Sequence, residues 1–369
     1  MLQTPFYDPT KSYEENYDNG PFSAFTDGEV FEQKGEPQYE YHGHKVYLPF
    51  GIPAGPLLNS TYIKAAFDKG FDICVYKTVR TDTYASHPFP NILSVHADGD
   101  LTLERLKSPL IADTNYSQPL AITNSFNIPS KNVATWQEDM KKANEAAGVG
   151  QVLVGSFVGT VRDNQTPKEF IEDWVIAAKQ VIETGVKIVE ADLSCPNNGA
   201  EGLVCYDIQT TERICKGIRK VIGNVPFVLK LGYFEDDDKL EKIAEIAQEY
   251  GNGIAAINTL QGTIIDREGK QALPGKTRAM AGVCGAPIKW AGLDMVRRLK
   301  KIRKEKNYKF SIDGVGGVTT PEDYFEYKDA GADTVMSATG AMWNPYLAEE
   351  IKQKLSDSSL RTEGSNLKH

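Results

Sequence analysis

The chain has 369 residues, a formal net charge of −9 and a hydrophobic content of 41 %, which is sufficient for a large buried core. The acidic balance argues against a nucleic-acid surface, because such surfaces need a stripe of basic residues. No segment reaches the roughly 18 consecutive apolar residues of a membrane-spanning helix, and the polar residues 1–22 resemble neither a signal peptide nor an anchor. Five cysteines without a C-x-x-C pair are typical of a reducing compartment, so we expect a cytoplasmic protein.

Short apolar segments alternate with helical patterns along most of the chain, which is typical of a parallel sheet whose strands are connected by helices. Eight of these segments predict barrel strands, at residues 49–53, 73–77, 152–156, 187–192, 227–230, 253–258, 310–313 and 334–337. Clear helical patterns lie between them, at residues 167–183, 207–222, 236–250 and 289–305. The alternation predicts an α/β fold, a (β/α)8 TIM barrel over residues 46–355.

A ninth apolar segment, residues 120–124, is one strand too many for this barrel, and no helical pattern separates it from residue 77. We therefore place it in an excursion from the barrel rim, residues 78–150, between the second and third barrel strands. Loops of this length in compact domains are usually functional. Residues 1–45 show no periodicity and predict an N-terminal extension that packs on the barrel or on a partner subunit, and residues 356–369 predict a polar tail.

The segment 191–199 reads A-D-L-S-C-P-N-N-G and follows the fourth predicted strand. Catalytic residues of such barrels lie in the loops after the strands. This loop resembles the N-L-S-C-P-N active-site loop of the class 1 dihydroorotate dehydrogenases, flavoproteins that use the cysteine as their catalytic base. The resemblance implies that Cys195 is the base and that Asp192 and Asn197 contact the substrate. A small, buried and inert thiol is the alternative for Cys195.

Small residues and two lysines follow other predicted strands. The segment F-G-I-P-A-G-P, residues 50–56, ends the first strand, and the resemblance implies that Ala54 and Gly55 lie against FMN. Lys77 and Lys230 each end an apolar strand at the barrel mouth, where a cation needs a partner. The resemblance implies that Lys77 contacts both flavin and substrate, that Thr78 contacts flavin, and that Lys230 stabilises reduced flavin.

Amide side chains occur in the rim excursion and after the sixth strand. The segment N-S-F-N-I-P, residues 124–129, resembles the family's N-S-M-G-L-P, in which the Asn and neighbouring backbone amides hold the substrate. This implies a substrate contact for Asn124, although Phe126 and Asn127 replace the Met and the Gly. Asn tolerates left-handed backbone conformations, so the turn is compatible with this change. Asn258 and Thr259 resemble the family's N-S or N-T pair, which implies contacts with the substrate ring.

Three glycine-rich segments lie near the carboxyl terminus, A-G-V-C-G at 281–285, D-G-V-G-G-V at 313–318 and S-A-T-G at 337–340. Glycines let successive backbone N–H groups converge on a phosphate, and the loops after strands seven and eight are the usual phosphate site of such barrels. The resemblance implies that the FMN contacts in these segments are Gly285, Gly316, Gly317, Ala338 and Thr339.

The resemblance therefore implies an FMN-dependent oxidation of dihydroorotate to orotate in pyrimidine biosynthesis. Cys195 would take the proton from C5 of the substrate while a hydride leaves C6 for the flavin. Class 1 members pass the electrons to a soluble acid such as fumarate or to a partner subunit with iron–sulfur and FAD groups, and the sequence does not decide between them. We also expect a homodimer, from the habit of the family.

Asp192 is the main departure from the family pattern, because an ionised Asp accepts hydrogen bonds but cannot donate one. Three alternatives remain open: a protonated Asp192, a substrate that presents only donors to it, or an Asp192 turned to cap the amides of Asn197 or Asn198. The second alternative would make the protein an FMN oxidoreductase for a different dihydropyrimidine-like substrate.

Other functions share parts of this pattern. Dihydrouridine synthesis on tRNA also uses an FMN barrel with a cysteine, but the acidic charge argues against it. A non-catalytic homologue would bind flavin without turnover, and a phosphosugar barrel enzyme would share only the phosphate loops. Cys195, Cys205 and Cys215 are ten residues apart, which is not a metal-ligand spacing, so we expect no metal.

Overall fold

The computed structural model describes residues 2–195 and 202–366, with side chains described as far as residue 356. The strands are β1 Tyr39–Tyr41, β2 His44–Val46, β3 Phe50–Ile52, β4 Ile73–Val79, β5 Ile92–Val95, β6 Leu110–Asp113, β7 Ala121–Asn124, β8 Val152–Phe157, β9 Ile188–Asp192, β10 Phe227–Leu231, β11 Gly253–Ala256, β12 Leu260–Ile265, β13 Met280–Gly285, β14 Ser311–Val315 and β15 Thr334–Met336. The α-helices are α1 Tyr13–Asn19, α2 Ser60–Asp68, α3 Val133–Glu145, α4 Pro167–Ile182, α5 Ile208–Ile222, α6 Asp237–Tyr250, α7 Lys289–Glu305, α8 Pro321–Ala330, α9 Thr339–Trp343 and α10 Leu347–Asn366.

Eight of these strands close into a parallel barrel, in the order β3, β4, β8, β9, β10, β11, β14, β15 and back to β3. Each overlaps one of the eight segments that the sequence predicts as barrel strands. Helices follow the strands and cover the outside of the barrel, so the predicted (β/α)8 fold is confirmed. All eight strands run in the same direction, so their carboxyl ends, and the residues just after them, meet at one mouth.

The helices follow local signals in the sequence. Helix α4 begins at a capping box in which Thr166 and Glu169 satisfy each other's backbone N–H groups, and Pro167 occupies its first turn. Its buried side chains recur every three or four residues and face β8 and β9. All four predicted helices are confirmed to within two residues, and α7 has the predicted bounds. Among the helices that the structure describes, none is both long and apolar enough to cross a membrane.

A second, five-stranded sheet covers part of the mouth. It closes on itself in the order β12, β13, β7, β5, β6, so the rim excursion pairs with the segment that follows β11. The ninth predicted segment is β7, and it lies outside the main barrel as expected. Strands β5, β6, β12 and β13 were not predicted. Strands β5 and β6 have only four residues each, β12 alternates between buried and at least partly exposed residues, and β13 contains two glycines, which weaken any strand pattern. Helix α3 then connects the excursion to β8.

The N-terminal extension packs on the barrel. Strands β1 and β2 form a hairpin at the amino ends of the barrel strands, where the Tyr41 ring is buried among core side chains and its hydroxyl donates to Asp313. The ring of Phe6 stacks on Phe25, and the Phe6 N–H donates to the backbone of α9. Helix α10 continues beyond residue 356 into the segment expected as a polar tail, and its Lys352 pairs with buried Asp72 at 3.0 Å.

Candidate active site

The loop after β9 is connected to the end of β11 by a chain of side-chain hydrogen bonds. The Ser194 hydroxyl donates to Asp192 Oδ1 at 2.6 Å and accepts a hydrogen bond from Asn258 Nδ2 at 2.8 Å. The Asn258 backbone N–H in turn donates to the Leu231 carbonyl at the end of β10. Two residues predicted for the substrate, Asp192 and Asn258, are therefore brought together by Ser194.

This arrangement bears on the unusual acid at position 192. The Asp192 side chain is only 4 % exposed, so its oxygens need donors. The Ser194 hydroxyl supplies one, and a hydroxyl can direct its proton to a carboxylate while its lone pairs accept from an amide. Capping by Asn197 or Asn198 lies outside the described residues, as does the predicted substrate contact of Asn197.

Cys195 lies at the end of the described part of this loop and is 5 % exposed. Burial raises the pKa of its thiol well above the usual value, and the negative charge of Asp192 raises it further. The positive charge of Arg80, at the end of β4, lowers the pKa of the same thiol. Arg80 was not among the residues predicted from the sequence. A thiol that must ionise depends on such a neighbour.

The two predicted lysines lie at the mouth. Burial lowers the pKa of Lys77 to about 7, and the charges of Arg80 and Lys230 contribute in the same direction. Lys230 Nζ donates to the Ala54 carbonyl at 3.1 Å, which connects two predicted flavin contacts. The Thr78 hydroxyl lies 3.1 Å from that of Ser156 on β8.

A small cavity lies between the ends of β13, β14 and β15. Its lining includes all five residues predicted for the flavin in the glycine-rich segments, together with one predicted substrate contact: Gly285, Gly316, Gly317, Ala338, Thr339 and Asn258. Gly317 has φ +72°, and a Cβ there would lie 2.6 Å from the backbone of Lys289. Gly55 has φ +143° and open space where a Cβ would stand. Small residues thus leave the backbone open at Gly55 and along the cavity, as the approach of a flat ring or a phosphate requires, and this suits a flavin.

The rim sheet places the remaining predicted residues. Asn124 ends β7, and its amide donates to the Cys284 sulfur, at 3.4 Å, on the wall of the cavity. The turn that follows has positive φ at two successive residues, Asn127 at +75° and Ile128 at +47°. Thr259 packs against Gly282 on β13, where an added Cβ would lie 2.5 Å from the Thr259 hydroxyl.

Comparison with known proteins agrees with this geometry. The dihydroorotate dehydrogenase family model matches residues 38–358. A dihydroorotate dehydrogenase from Dictyostelium discoideum is 35 % identical over 360 residues, which cover 94 % of this chain and 96 % of the relative. The chain belongs to the dihydroorotate dehydrogenase family. This family membership confirms the predicted class of enzyme, an oxidoreductase that acts on a CH–CH group.

More distant relatives carry names that specify different electron acceptors. The catalytic subunit of a dihydroorotate dehydrogenase B (NAD(+)) from Methanocaldococcus jannaschii is 28 % identical over 248 residues, or 65 % of this chain and 74 % of the relative. A dihydroorotate dehydrogenase A (fumarate) from Limosilactobacillus reuteri is 29 % identical over 173 residues, or 46 % of this chain and 53 % of the relative. The comparisons therefore determine the class of enzyme but do not determine the electron acceptor.

Proposed function

We propose that this protein oxidises dihydroorotate to orotate in pyrimidine biosynthesis, with FMN bound at the barrel mouth and Cys195 as the base. One observation carries the proposal. Cys195, two buried lysines and a glycine-lined cavity all lie at the carboxyl ends of the barrel strands, in a chain that belongs to this family. Each of these parts occurs alone in unrelated proteins, but an enzyme of this class needs all of them together.

For the cofactor, the residues that would hold the phosphate are the bare backbone at Gly285, Gly316 and Gly317, with Thr339 beside them. Ala54 and Gly55 would lie against the ring, and Lys230 would place a positive charge close to it. FMN, when bound, supplies the acceptor for the hydride that leaves C6 of dihydroorotate. A fixed cation near the flavin favours the negative charge that develops on reduction.

For the substrate, Cys195 takes the proton from C5, and Asn124, Asn258 and Lys77 bind the ring and its carboxylate. Dihydroorotate is an anion, and an opposite charge favours the protonated form of a lysine. The substrate therefore counters the effect of burial, which lowers the pKa of Lys77 to about 7. Asp192 positions Ser194, which in turn holds Asn258 toward the same space.

The partners and location follow the same reasoning. We propose a cytoplasmic enzyme, because the cysteines are present as free thiols. We also propose a homodimer, and an acceptor that is either fumarate or NAD⁺, the two acceptors in the names of the relatives. NAD⁺ would be reached through an electron-transfer subunit. Reoxidation of the reduced protein by fumarate alone would favour the first acceptor, and reoxidation only with a partner subunit would favour the second.

The proposal is tested by titrating the purified protein with dihydroorotate without oxygen while following the flavin absorbance. We expect bleaching, and we expect Cys195→Ser to keep the flavin but to slow its reduction by about 100-fold or more, the usual effect of removing a general base. Cys215→Ser is the matched control, because Cys215 is buried within α5. Flavin that stays oxidised would refute dihydroorotate as the substrate, and an unchanged rate in Cys195→Ser would refute the base.

A further inference from the structure

Arg80 holds an unusual position beside the active-site loop. Its side chain is 7 % exposed, and its backbone is fixed on both sides, because its N–H donates to the Ser130 hydroxyl and its carbonyl accepts from the Trp136 indole. The guanidinium lies over the Tyr84 ring at 4.2 Å. Within the described part of the chain, no carboxylate lies close enough to form an ion pair with it. A buried arginine without such a partner needs another reason for its place.

The guanidinium contacts the turn that follows Asn124. Its Nε donates to the Ile128 carbonyl at 2.9 Å, and Nη2 donates to the Asn127 carbonyl at 3.4 Å. Both residues have positive φ, which is costly for a β-branched side chain such as that of Ile128. Strained backbone of this kind persists only where its surroundings hold it in place. Arg80 is the side chain that donates to both carbonyls.

The other side of the guanidinium is hydrogen-bonded to the loop that follows β8, the third barrel strand. Nη1 donates to the Gly159 carbonyl and to the Thr160 hydroxyl, both at 3.2 Å. These contacts use four of the five N–H groups of an arginine, so the fork connects the rim turn to the loop after β8. A lysine in its place could not span all of these acceptors, because its donors radiate from one nitrogen.

The charge of Arg80 also acts on Cys195. Among the described residues, the side chains whose charge acts on this thiol are Asp192 on its own loop, Cys205 on the segment before α5, and Arg80. Asp192 and Cys205 raise the thiol pKa, as burial does, and Arg80 is the side chain whose charge opposes them. Without the charge of Arg80, the thiol would therefore ionise at a higher pH.

We propose that Arg80 is a positioning residue of this enzyme, which clamps the strained turn at Asn127 and Ile128 to the loop after β8. Its positive charge, which favours the thiolate of Cys195, is a second and supporting effect. The inference rests on the proposed function insofar as Cys195 is the base. The two effects separate in two variants. Arg80→Lys keeps the positive charge but loses the planar guanidinium that reaches all four acceptors. Arg80→Gln loses the positive charge but keeps an amide donor.

The charge is tested by measuring the iodoacetamide alkylation rate of Cys195 in the FMN-bound protein against pH, with the Cys195 peptide quantified by mass spectrometry. We expect about a tenfold slower alkylation in Arg80→Gln below the midpoint, with the midpoint moved to higher pH, because an opposite charge has been removed from the thiolate. Arg80→Lys should stay close to the wild type. An unchanged midpoint in Arg80→Gln would overturn this part of the proposal.

The clamp is tested by the dihydroorotate concentration that half-saturates flavin reduction. We expect this half-saturating concentration to rise by about tenfold in Arg80→Lys, measured at a pH where Cys195 ionises in this variant as it does in the wild type. An unchanged half-saturating concentration would overturn the clamp. Arg162→Gln is the control, because Arg162 lies beside Thr81 and pairs with Asp173 without touching the turn. The alkylation assay needs no substrate. If dihydroorotate failed to reduce the flavin while the alkylation shift appeared, the proposed function would fail and the role of the Arg80 charge would stand.

Discussion

Replacing Asp192 by Asn removes one negative charge from the mouth and leaves the shape of the side chain almost unchanged. The structure assigns Asp192 two roles that this substitution separates. Its Oδ1 accepts the Ser194 hydroxyl at 2.6 Å, and its charge raises the pKa of the Cys195 thiol. An Asn can still accept from Ser194 through its carbonyl oxygen, so the first role weakens and the second disappears.

The two effects have different magnitudes and opposite consequences. A hydrogen bond to a charged group contributes about 1.5–3 kcal/mol and a neutral one about 1 kcal/mol. Asp192→Asn should therefore lower the free energy of unfolding by about 1 kcal/mol. The loss of a like charge next to Cys195 favours the thiolate, and we expect about a tenfold faster alkylation of Cys195 at a pH below its midpoint.

Both effects are measured on the same protein. Urea unfolding reports the free energy, and the rate of iodoacetamide modification of the Cys195 peptide against pH reports the thiol. Ser194→Ala is the matched comparison, since it removes the hydrogen bond to Asp192 and leaves the charge in place. It should lower stability without accelerating alkylation. Slower or unchanged alkylation in Asp192→Asn would refute the reasoning, because the charge of Asp192 would then not govern Cys195.

Three further predictions concern protons and backbone. Orotate binding should take up a proton above pH 7, because the pKa of Lys77 is lowered to about 7 and the bound anion favours the protonated lysine. Calorimetry in two buffers with different ionisation enthalpies should show this uptake, and Lys77→Met should abolish it. Burial raises the pKa of Asp313 to about 8. The folded state therefore holds a proton on Asp313 that the unfolded chain loses near pH 4. As a result, the free energy of unfolding should fall by about 1.4 kcal/mol for each unit that the pH rises between about pH 4 and pH 8. Asp313→Asn should flatten this slope in urea titrations at pH 5, 6 and 7; parallel slopes would contradict the assignment. Gly317→Ala should release FMN and lower the melting temperature more than Gly269→Ala does. Both glycines have positive φ, but only a Cβ at residue 317 would meet backbone atoms, at 2.6 Å. Equal decreases in melting temperature for the two variants would contradict the clash.

The barrel could be predicted because each of its strands is a short apolar segment followed by a helix with its own signals. Helix α4, for example, is defined by the Thr166 capping box, Pro167 and a regular apolar face, all of which are local. The rim sheet could not be predicted in the same way. Strand β12 pairs with β6, which precedes it by about 150 residues, and neither segment has a long apolar pattern of its own. Pairing over such a distance depends on the barrel that brings the two segments together.

In the candidate site, too, the residues that could be predicted are those with a local signal in the sequence. Lys77, Asp192, Cys195, Lys230 and the glycine-rich segments could be named because each lies at or just after the carboxyl end of a strand, and in a parallel barrel these ends converge. Their roles remain predictions that the experiments above test. Arg80 also follows a strand, three residues after Lys77, but its role depends on where the rim turn folds. No local pattern indicates that a turn near residue 127 lies over the end of β4.

The charges at the mouth give a reason why this site should be more stable with its ligands than without them. Lys77 and Arg80 are buried, and burial lowers the pKa of both, which means that the folded protein holds each positive charge at a cost. Burial also raises the pKa of Glu190, which accepts from Ser156 beneath the mouth, so burial disfavours the negative charge of this carboxyl as well. A phosphate and a substrate carboxylate are the groups that such a mouth favours.

This excess of buried positive charge makes the substrate carboxylate a source of stability. Ligands that bind only the folded state stabilise it in proportion to the logarithm of their concentration over Kd. At the same concentration, orotate should therefore raise the melting temperature of the FMN-bound protein more than uracil, which has the same ring without the carboxylate. Lys77→Met should narrow the difference between the two ligands, because one of the charges that the carboxylate offsets is gone. Equal shifts for orotate and uracil in the wild type would mean that the buried cations do not hold the carboxylate.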